Sequence, residues 1–277
     1  MSIALQQYEQ VIVKGIADEL ELDMIWDRFD KTAKEQEAEF KPVLRRQFKN
    51  QEAEVLANVG KSIPLDVDTG QTPAEIYTPW LFDEAAWNVL LASAAKPFIE
   101  TSMVEGAIEG IRGINAGLDI DLSLSFNVND PNVVRIINDK LHTFSFEVNA
   151  ETTKLLKKEF REAIAEGDTM RNIEKRVAKV FNFNDKVRTK RIAQTEILGA
   201  YNSGTYEAMN NSGVVDTKRW IATRDGKTRE SHKAIDGEVV GLKERFSNGL
   251  RFPGDWTGAL AEFINCRCAM KAQDFLI

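Results

Sequence analysis

The sequence predicts an α+β protein: mostly helical N-terminal and middle regions, followed by a small C-terminal α+β module. Three observations predict it. Apolar residues recur every three or four positions through most of the first 210 residues. Period-two alternation is confined to one stretch near 118–128 and a short run from Thr217 to Ala222. Tryptophan, Pro-Gly and paired cysteines cluster beyond Gly213, where a small module needs turns and a core. The expected organisation is a helical segment over 1–60, a linker over 61–82, a helical domain over 83–213 and a C-terminal module over 214–277.

With 277 residues, 43% hydrophobic and 29% charged, the chain can bury a sizeable core, and wholesale disorder is excluded. No apolar run approaches the roughly 18 residues a membrane span needs. Met1 to Gln7 lacks the basic start and apolar core of a secretory signal. Two cysteines point to a reducing compartment and not to a disulfide scaffold. The net charge of -7 is uneven: residues 1–150 hold 13 Lys+Arg against 25 Asp+Glu, and residues 151–277 hold 23 against 18.

In chain order, Ile12, Ile16, Leu20, Ile25, Phe29, Phe40, Leu44 and Phe48 form the inner stripe of long helices that Pro42 should break or kink and Gly60 should end. Gly60-Lys61-Ser62 is not a phosphate loop, because Val55 stands where that motif's first glycine belongs. Pro64, Gly70, Pro73 and Pro79 mark the linker. Asp83 caps the next helix, whose apolar side carries Trp87, Leu90, Leu91, Val104, Ile108 and Ile111. Glycines at 106, 110, 113 and 117 should fray or kink it. Leu118 to Val128 alternates as an extended, half-buried segment. Asp130-Pro131 opens a helix with Val133, Val134, Ile137 and Leu141 inward; His142, just beyond that face, reads as structural. Three helices follow, over about 151–166 with Gly167 as stop, 169–181 capped by Thr169, and 185–211 stopping at Gly213.

Residues 171–191 carry eight basic residues against Glu174 and Asp185. Arg171, Lys175, Arg176, Lys179, Arg188, Lys190 and Arg191 are the candidates for DNA or partner contact; a solvated helical face is the plainer alternative.

The last third carries the chemistry. Arg224 to Lys227 is a turn and Thr228 a cap for a short helix that delivers His232. Locally, Asp225 accepts turn hydrogen bonds and His232 is a buried hydrogen-bonding residue; the sharper reading has His232 move protons with Asp225 or Glu262 as orienter. Cys266 and Cys268 share one face of an extended run, with Arg267 outward to solvent or a partner. They read as buried thiols, as a redox pair or, with His232, as three zinc ligands, with Asp225, Asp255 or Glu262 as a fourth. Trp220, Trp256 and Phe263 should form the small core. Ser231, His232 and Asp225 lack the Gly-x-Ser-x-Gly elbow of a hydrolase.

The ordered set Trp220-x4-Asp225-x2-Thr228-Arg229-x2-His232, then Pro253-Gly254-Asp255, Glu262 and Asn265-Cys266-Arg267-Cys268, resembles the Mu F-like family of bacteriophage minor head (head morphogenesis) proteins. The helix with Arg191-Ile192-Ala193-Gln194-Thr195-Glu196, Ala200 and Asn202 resembles the Ala-Arg-Thr-Glu helix of that family, with Gln194 where arginine is common. The likeness covers roughly 130–277. It implies a non-enzymatic, cofactor-free virion protein inside the head near the portal vertex, present in the host cytoplasm during assembly and acting in head assembly, DNA packaging or ejection. The implied partners are the portal protein, the major capsid or scaffolding protein and packaged double-stranded DNA, with no membrane. Two alternatives stand beside it: an enzyme acting on a nucleotide or nucleic acid through His232, Asp225 and Glu262, and a zinc-stabilised interaction module.

Overall fold

The computed structural model describes residues 3–59, 81–182, 185–223 and 225–276, with side chains over 18–59, 81–181, 187–223 and 225–276. The linker expected over 61–82 lies, but for its last two residues, outside the described residues, as do Gly60 and the side chains of Ile12 and Ile16. Among the described residues there are seven helices and one antiparallel sheet, an α+β protein as the sequence predicts. The helices are α1 (Ile3–Val59), α2 (Glu84–Leu118), α3 (Pro131–Glu166), α4 (Met170–Asn182), α5 (Asp185–Ser212), α6 (Glu230–Ala234) and α7 (Leu260–Phe263). The strands are β1 (Thr217–Ile221), β2 (Val239–Gly241) and β3 (Ala269–Ala272), in the order β2-β1-β3. No described helix is long and apolar enough to cross a membrane.

Pro42, expected to break or kink its helix, lies inside the continuous α1, and α2 likewise continues through Pro97. Both rings face solvent, where water can take up the carbonyl that a missing N–H leaves unpaired. Leu20, Leu90, Ile108 and Val134, expected on inner faces, are instead exposed. Within two positions of each lies a better-placed apolar residue: Leu22, Leu91, Ala107 and Val133 are buried in their stead. The helix opened by Asp130-Pro131 does not stop near Leu141. It runs 36 residues to Glu166, so the separate helix expected over 151–166 is its second half. Asp130 accepts from Asn132 N, and Gly167 closes the helix at φ 63, as its sequence signals require.

The chain forms two compact units, one of Met1–Gln36, Ser102–Asn127 and Ile197–Ile277, the other of Glu37–Thr101 and Val128–Glu196. In the second, Phe40 stacks on Phe98 with ring centroids 4.7 Å apart, and Gln51, Asn149 and Asn88 form a buried amide chain. Lys140, 2% exposed, pairs with Glu196 at 2.9 Å, so the glutamate of the Gln-Thr-Glu stretch closes a buried ion pair.

In the first unit, the later part of α2 crosses α5 at backbone contact. A Cβ on Gly106 would lie 1.8 Å from Tyr201 O, and one on Gly204 would lie 1.9 Å from Met103 O. The glycines expected to fray α2 are therefore, at Gly106, the means of close approach, and the helix does not break there. After Leu118 the alternation of burial over 121–128 holds, but the segment pairs with no strand among the described residues. Ser123 sits at φ 48 and Asn115 Oδ1 takes Leu122 N, which turns the backbone out of ladder geometry. Its leucines, Leu122 and Leu124, pack on a core of Ile114, Tyr206, Met209, Val215, Leu242, Phe252 and Met270.

β1 is the central strand. It pairs Arg219 with Val239 on one side and Trp220 with Met270 on the other. Trp220 is fully buried and anchors a second core with Ala222, Ile235, Phe246, Leu250, Phe263, Cys266 and Cys268. Trp256 packs on both cores.

Candidate functional site

Residues 225–229 form a tight turn whose side chains satisfy its backbone; Arg224, expected to open it, lies outside the described residues. Asp225 accepts from Lys227 N at 3.0 Å and from Thr228 Oγ1 at 3.1 Å, while Thr228 Oγ1 also donates to Thr223 O. Thr228 is therefore committed to the turn. The cap position of α6 falls to Arg229, which makes no side-chain cap bond; its guanidinium donates to Ile264 O. This turn presents His232 inward, 1% exposed, with the edge of Trp220 against its ring at 5.2 Å.

Both imidazole nitrogens are engaged. Nε2 lies 3.0 Å from Glu262 Oε2 on α7, and Ser231 Oγ donates to the same carboxylate at 3.1 Å. Nδ1 lies 3.7 Å from Cys266 Sγ and 3.4 Å from Cys268 Sγ. The chain leaves α7 through Asn265 at φ 60 and enters an extended run leading to β3, so alternate residues Cys266 and Cys268 both turn inward. Asn202 Nδ2 donates to Cys268 O at 3.0 Å, and Thr223 Oγ1 donates to Arg267 O at 2.5 Å, which fixes that run. Hydrogen bonding with Cys266 and the neighbouring imidazole bring the Cys268 thiol down to about 5 against the effect of burial. Burial pushes the Cys266 thiol well up.

Arg267 does not point to free solvent. Its guanidinium bridges Asp225 at 3.0 Å and Asp30 at 2.5 Å beside the Trp26 ring, and Trp26 Nε1 donates to Arg267 O at 3.3 Å. Asp225 is thereby held by Arg267 and the turn. Of the candidate set His232, Asp225 and Glu262, the structure brings Glu262 to the imidazole and gives Asp225 to Arg267.

Pro253-Gly254-Asp255 builds a separate feature. Gly254 has φ 81, and a Cβ there would lie 2.8 Å from Gly199 Cα on α5. Asp255 is fully buried and accepts from Arg251 Nε at 2.9 Å, Arg251 N at 3.1 Å and Thr257 Oγ1 at 2.7 Å. Burial alone would raise its carboxyl, but the bonds from Arg251 and Thr257 prevail and hold it below the usual aspartate range. Its oxygens are thus spent on Arg251 and Thr257, which removes it from the expected ligand set.

Sequence reasoning missed Lys218. It is fully buried on β1, and its Nζ donates to Leu242 O and Glu244 O at 2.6 Å each, above the rings of Tyr206 and Phe246. Burial, then Arg251, brings its ammonium down to about 8. The available signal was its phase: Lys218 and Trp220 alternate with Thr217 and Arg219, so a buried Trp220 implies a buried Lys218.

The seven basic candidates of 171–191 separate into two groups. Arg176 reaches Asp168 at 2.6 Å, Glu166 at 2.6 Å, Glu162 at 3.2 Å and Glu159 at 3.4 Å, and Lys179 reaches Glu159 at 2.8 Å. Arg188 donates to Val148 O at 2.8 Å and Thr152 Oγ1 at 2.7 Å over the Phe48 ring, and burial lowers it to about 10. These three are engaged within the chain. Arg171, Lys175, Lys190 and Arg191 are exposed.

Residues 154–271 match the family described as Phage Mu protein F like protein. YqbB of Bacillus subtilis strain 168, an uncharacterized protein, is 27% identical over 159 residues, covering 55% of this chain and 52% of its own length. An NAD(+)–arginine ADP-ribosyltransferase, EFV of Enterococcus faecalis strain V583, is 38% identical over 84 residues, covering 28% of this chain and 17% of its own length. The chain thus spans about half of the first relative and a small part of the second. No solved structure matches.

Proposed function

We propose, for a chain that belongs to the phage Mu F-like family through residues 154–271, that it is a head morphogenesis protein of a tailed bacteriophage, a minor component of the head. The family match is the observation that carries this reading; the match to YqbB extends over more than half of the chain. The finer proposal is that the protein associates with the portal vertex inside the head and acts in assembly, DNA packaging or ejection. Its partners would be the portal protein, the major capsid or scaffolding protein and packaged double-stranded DNA.

Two features support a structural role over a catalytic one. His232 is 1% exposed, whereas a general acid or base must come within hydrogen-bonding reach of its substrate. Asp225 is bonded to Arg267 and the turn, so it does not orient the imidazole. The ADP-ribosyltransferase activity in the name of the Enterococcus protein belongs to that protein, of which this chain matches 17%.

For nucleic acid or an acidic partner, the exposed Arg171, Lys175, Lys190 and Arg191 are the proposed contacts, because Arg176, Lys179 and Arg188 are neutralised or buried internally. The test is deletion of the coding segment from a phage or prophage that carries it, with complementation in trans. The expected result is loss of infectious particles, with aberrant or empty heads, restored by the intact chain. Normal titre and normal heads after deletion would overturn the reading.

A further inference from the structure

We propose that His232 Nδ1, Cys266 Sγ and Cys268 Sγ bind one zinc ion, with Glu262 as the residue that orients the imidazole. This site is independent of the head-protein reading.

Glu262 accepts at 3.0 Å on the Nε2 side, which sets the proton on Nε2 and leaves the lone pair of Nδ1 facing two sulfurs. A carboxylate behind a histidine whose other nitrogen faces soft donors is the arrangement that metal-binding histidines use. Both sulfurs lie against that nitrogen, at 3.7 and 3.4 Å, so that a single ion among them would bond to all three atoms.

The spacing fits zinc. Zn–S near 2.3 Å and Zn–N of about 2.0–2.1 Å at a tetrahedral angle separate nitrogen from sulfur by about 3.5 Å. The two measured separations bracket that value, and the three ligand atoms lie within 4.8 Å of one another. Two thiolates and a neutral imidazole are a donor set that zinc prefers over magnesium or calcium, which take oxygen. All three side chains are buried, at 1%, 3% and 1% exposure, so the ion would be held away from bulk water. Three side chains fill three tetrahedral positions, leaving the fourth to a single water.

Such an ion would tie α6 to the run that precedes β3, joining two parts of a module whose sheet has only three short strands. Its binding energy would then be folding energy for the module.

The test uses the full wild-type chain, purified under reducing conditions without chelator. Native mass spectrometry and elemental analysis should find one zinc per chain. The chain stripped of metal and given Co2+ should show sulfur-to-cobalt charge transfer in the near ultraviolet and the intense visible bands of a tetrahedral ion. Cys268→Ser should weaken the charge-transfer band, since one of two thiolates is gone, the double variant Cys266→Ser with Cys268→Ser should lose it, and Glu262→Gln should keep it with affinity lowered about 10- to 100-fold. A folded, reduced wild-type chain that takes up neither Zn2+ nor Co2+ would overturn the proposal and leave a buried thiol pair. A cobalt complex without charge transfer would overturn it as well, because the cysteines would not be ligands. Both decisive readouts are on the wild-type chain, so a variant that fails to fold does not blunt them.

Discussion

The C-terminal module, residues 217–272, and the α3–α4 helix pair answer the same requirement, satisfying charge at the edge of a core, in opposite ways. Around α4, Arg176 meets four carboxylates, of which Glu162 and Glu166 reach solvent while Glu159 and Asp168 are mostly covered. In the module, Asp255 and Lys218 are fully buried and each has partners in fixed directions. Exposed pairs are worth little individually, whereas a buried charge stripped of its partner is costly. The comparison teaches that the helix pair is held mainly by its apolar stripe, including Leu156, Phe160, Val177 and Phe181, and that the module depends on a few specific polar contacts.

The largest effect should come from Asp255→Asn, which leaves the Arg251 guanidinium against a neutral amide. Breaking a buried pair costs about 3–5 kcal/mol, and denaturant titration should read a loss towards the lower end because Arg251 is partly exposed. The same group gives a pH signature. Its folded pKa lies below 3.8, so its contribution is present above about pH 4 and is lost as pH falls through the folded value; the Asn variant should lack that acid-dependent loss. Acid sensitivity unchanged by Asp255→Asn would break the contrast between module and helix pair.

Next come the glycines of α2. Gly106→Ala puts a methyl 1.8 Å from Tyr201 O and should destabilise by about 1–3 kcal/mol, whereas Gly113→Ala meets nothing within 4 Å and should stabilise by up to about 1 kcal/mol. Thermal melts of the two variants should move in opposite directions.

Lys218→Met should cost about 1–3 kcal/mol by leaving Leu242 O and Glu244 O without their donor. Because Lys218 titrates at about 8 folded and 10.5 unfolded, the unfolded chain binds more protons between those values, and this group makes stability rise with pH there. The Met variant should lose that rise in a pH series of unfolding curves. The smallest effect should be Arg176→Ala, a slight shift of the denaturation midpoint that salt diminishes further. A loss as large as that of Asp255→Asn would erase the distinction.

The sequence made the local signals legible. Asp130-Pro131 opens α3, Gly167 and Gly213 follow helix ends at positive φ, and the two-residue spacing of Cys266 and Cys268 puts both thiols inside. What it concealed depends on distant partners. The continuity of α1 through Pro42 and the close crossing at Gly106 are decided by which side of the helix meets solvent or Tyr201. The alternation near 118–128 states a half-buried segment correctly but cannot state that no strand lies beside it. In the site, the spacing of His232, Cys266 and Cys268 was readable, but the assignment of Glu262 to the imidazole and Asp225 to Arg267 was not. Either carboxylate satisfies the same sequence-level reasoning, and only the fold decides between them.

The central claim, that this is a minor head protein, is tested most directly by quantitative mass spectrometry of purified proheads and mature heads, counting this chain against portal and major capsid subunits. This chain should be present in heads at a copy number comparable with the portal subunit and far below the major capsid protein. Absence from proheads and mature heads alike would contradict it.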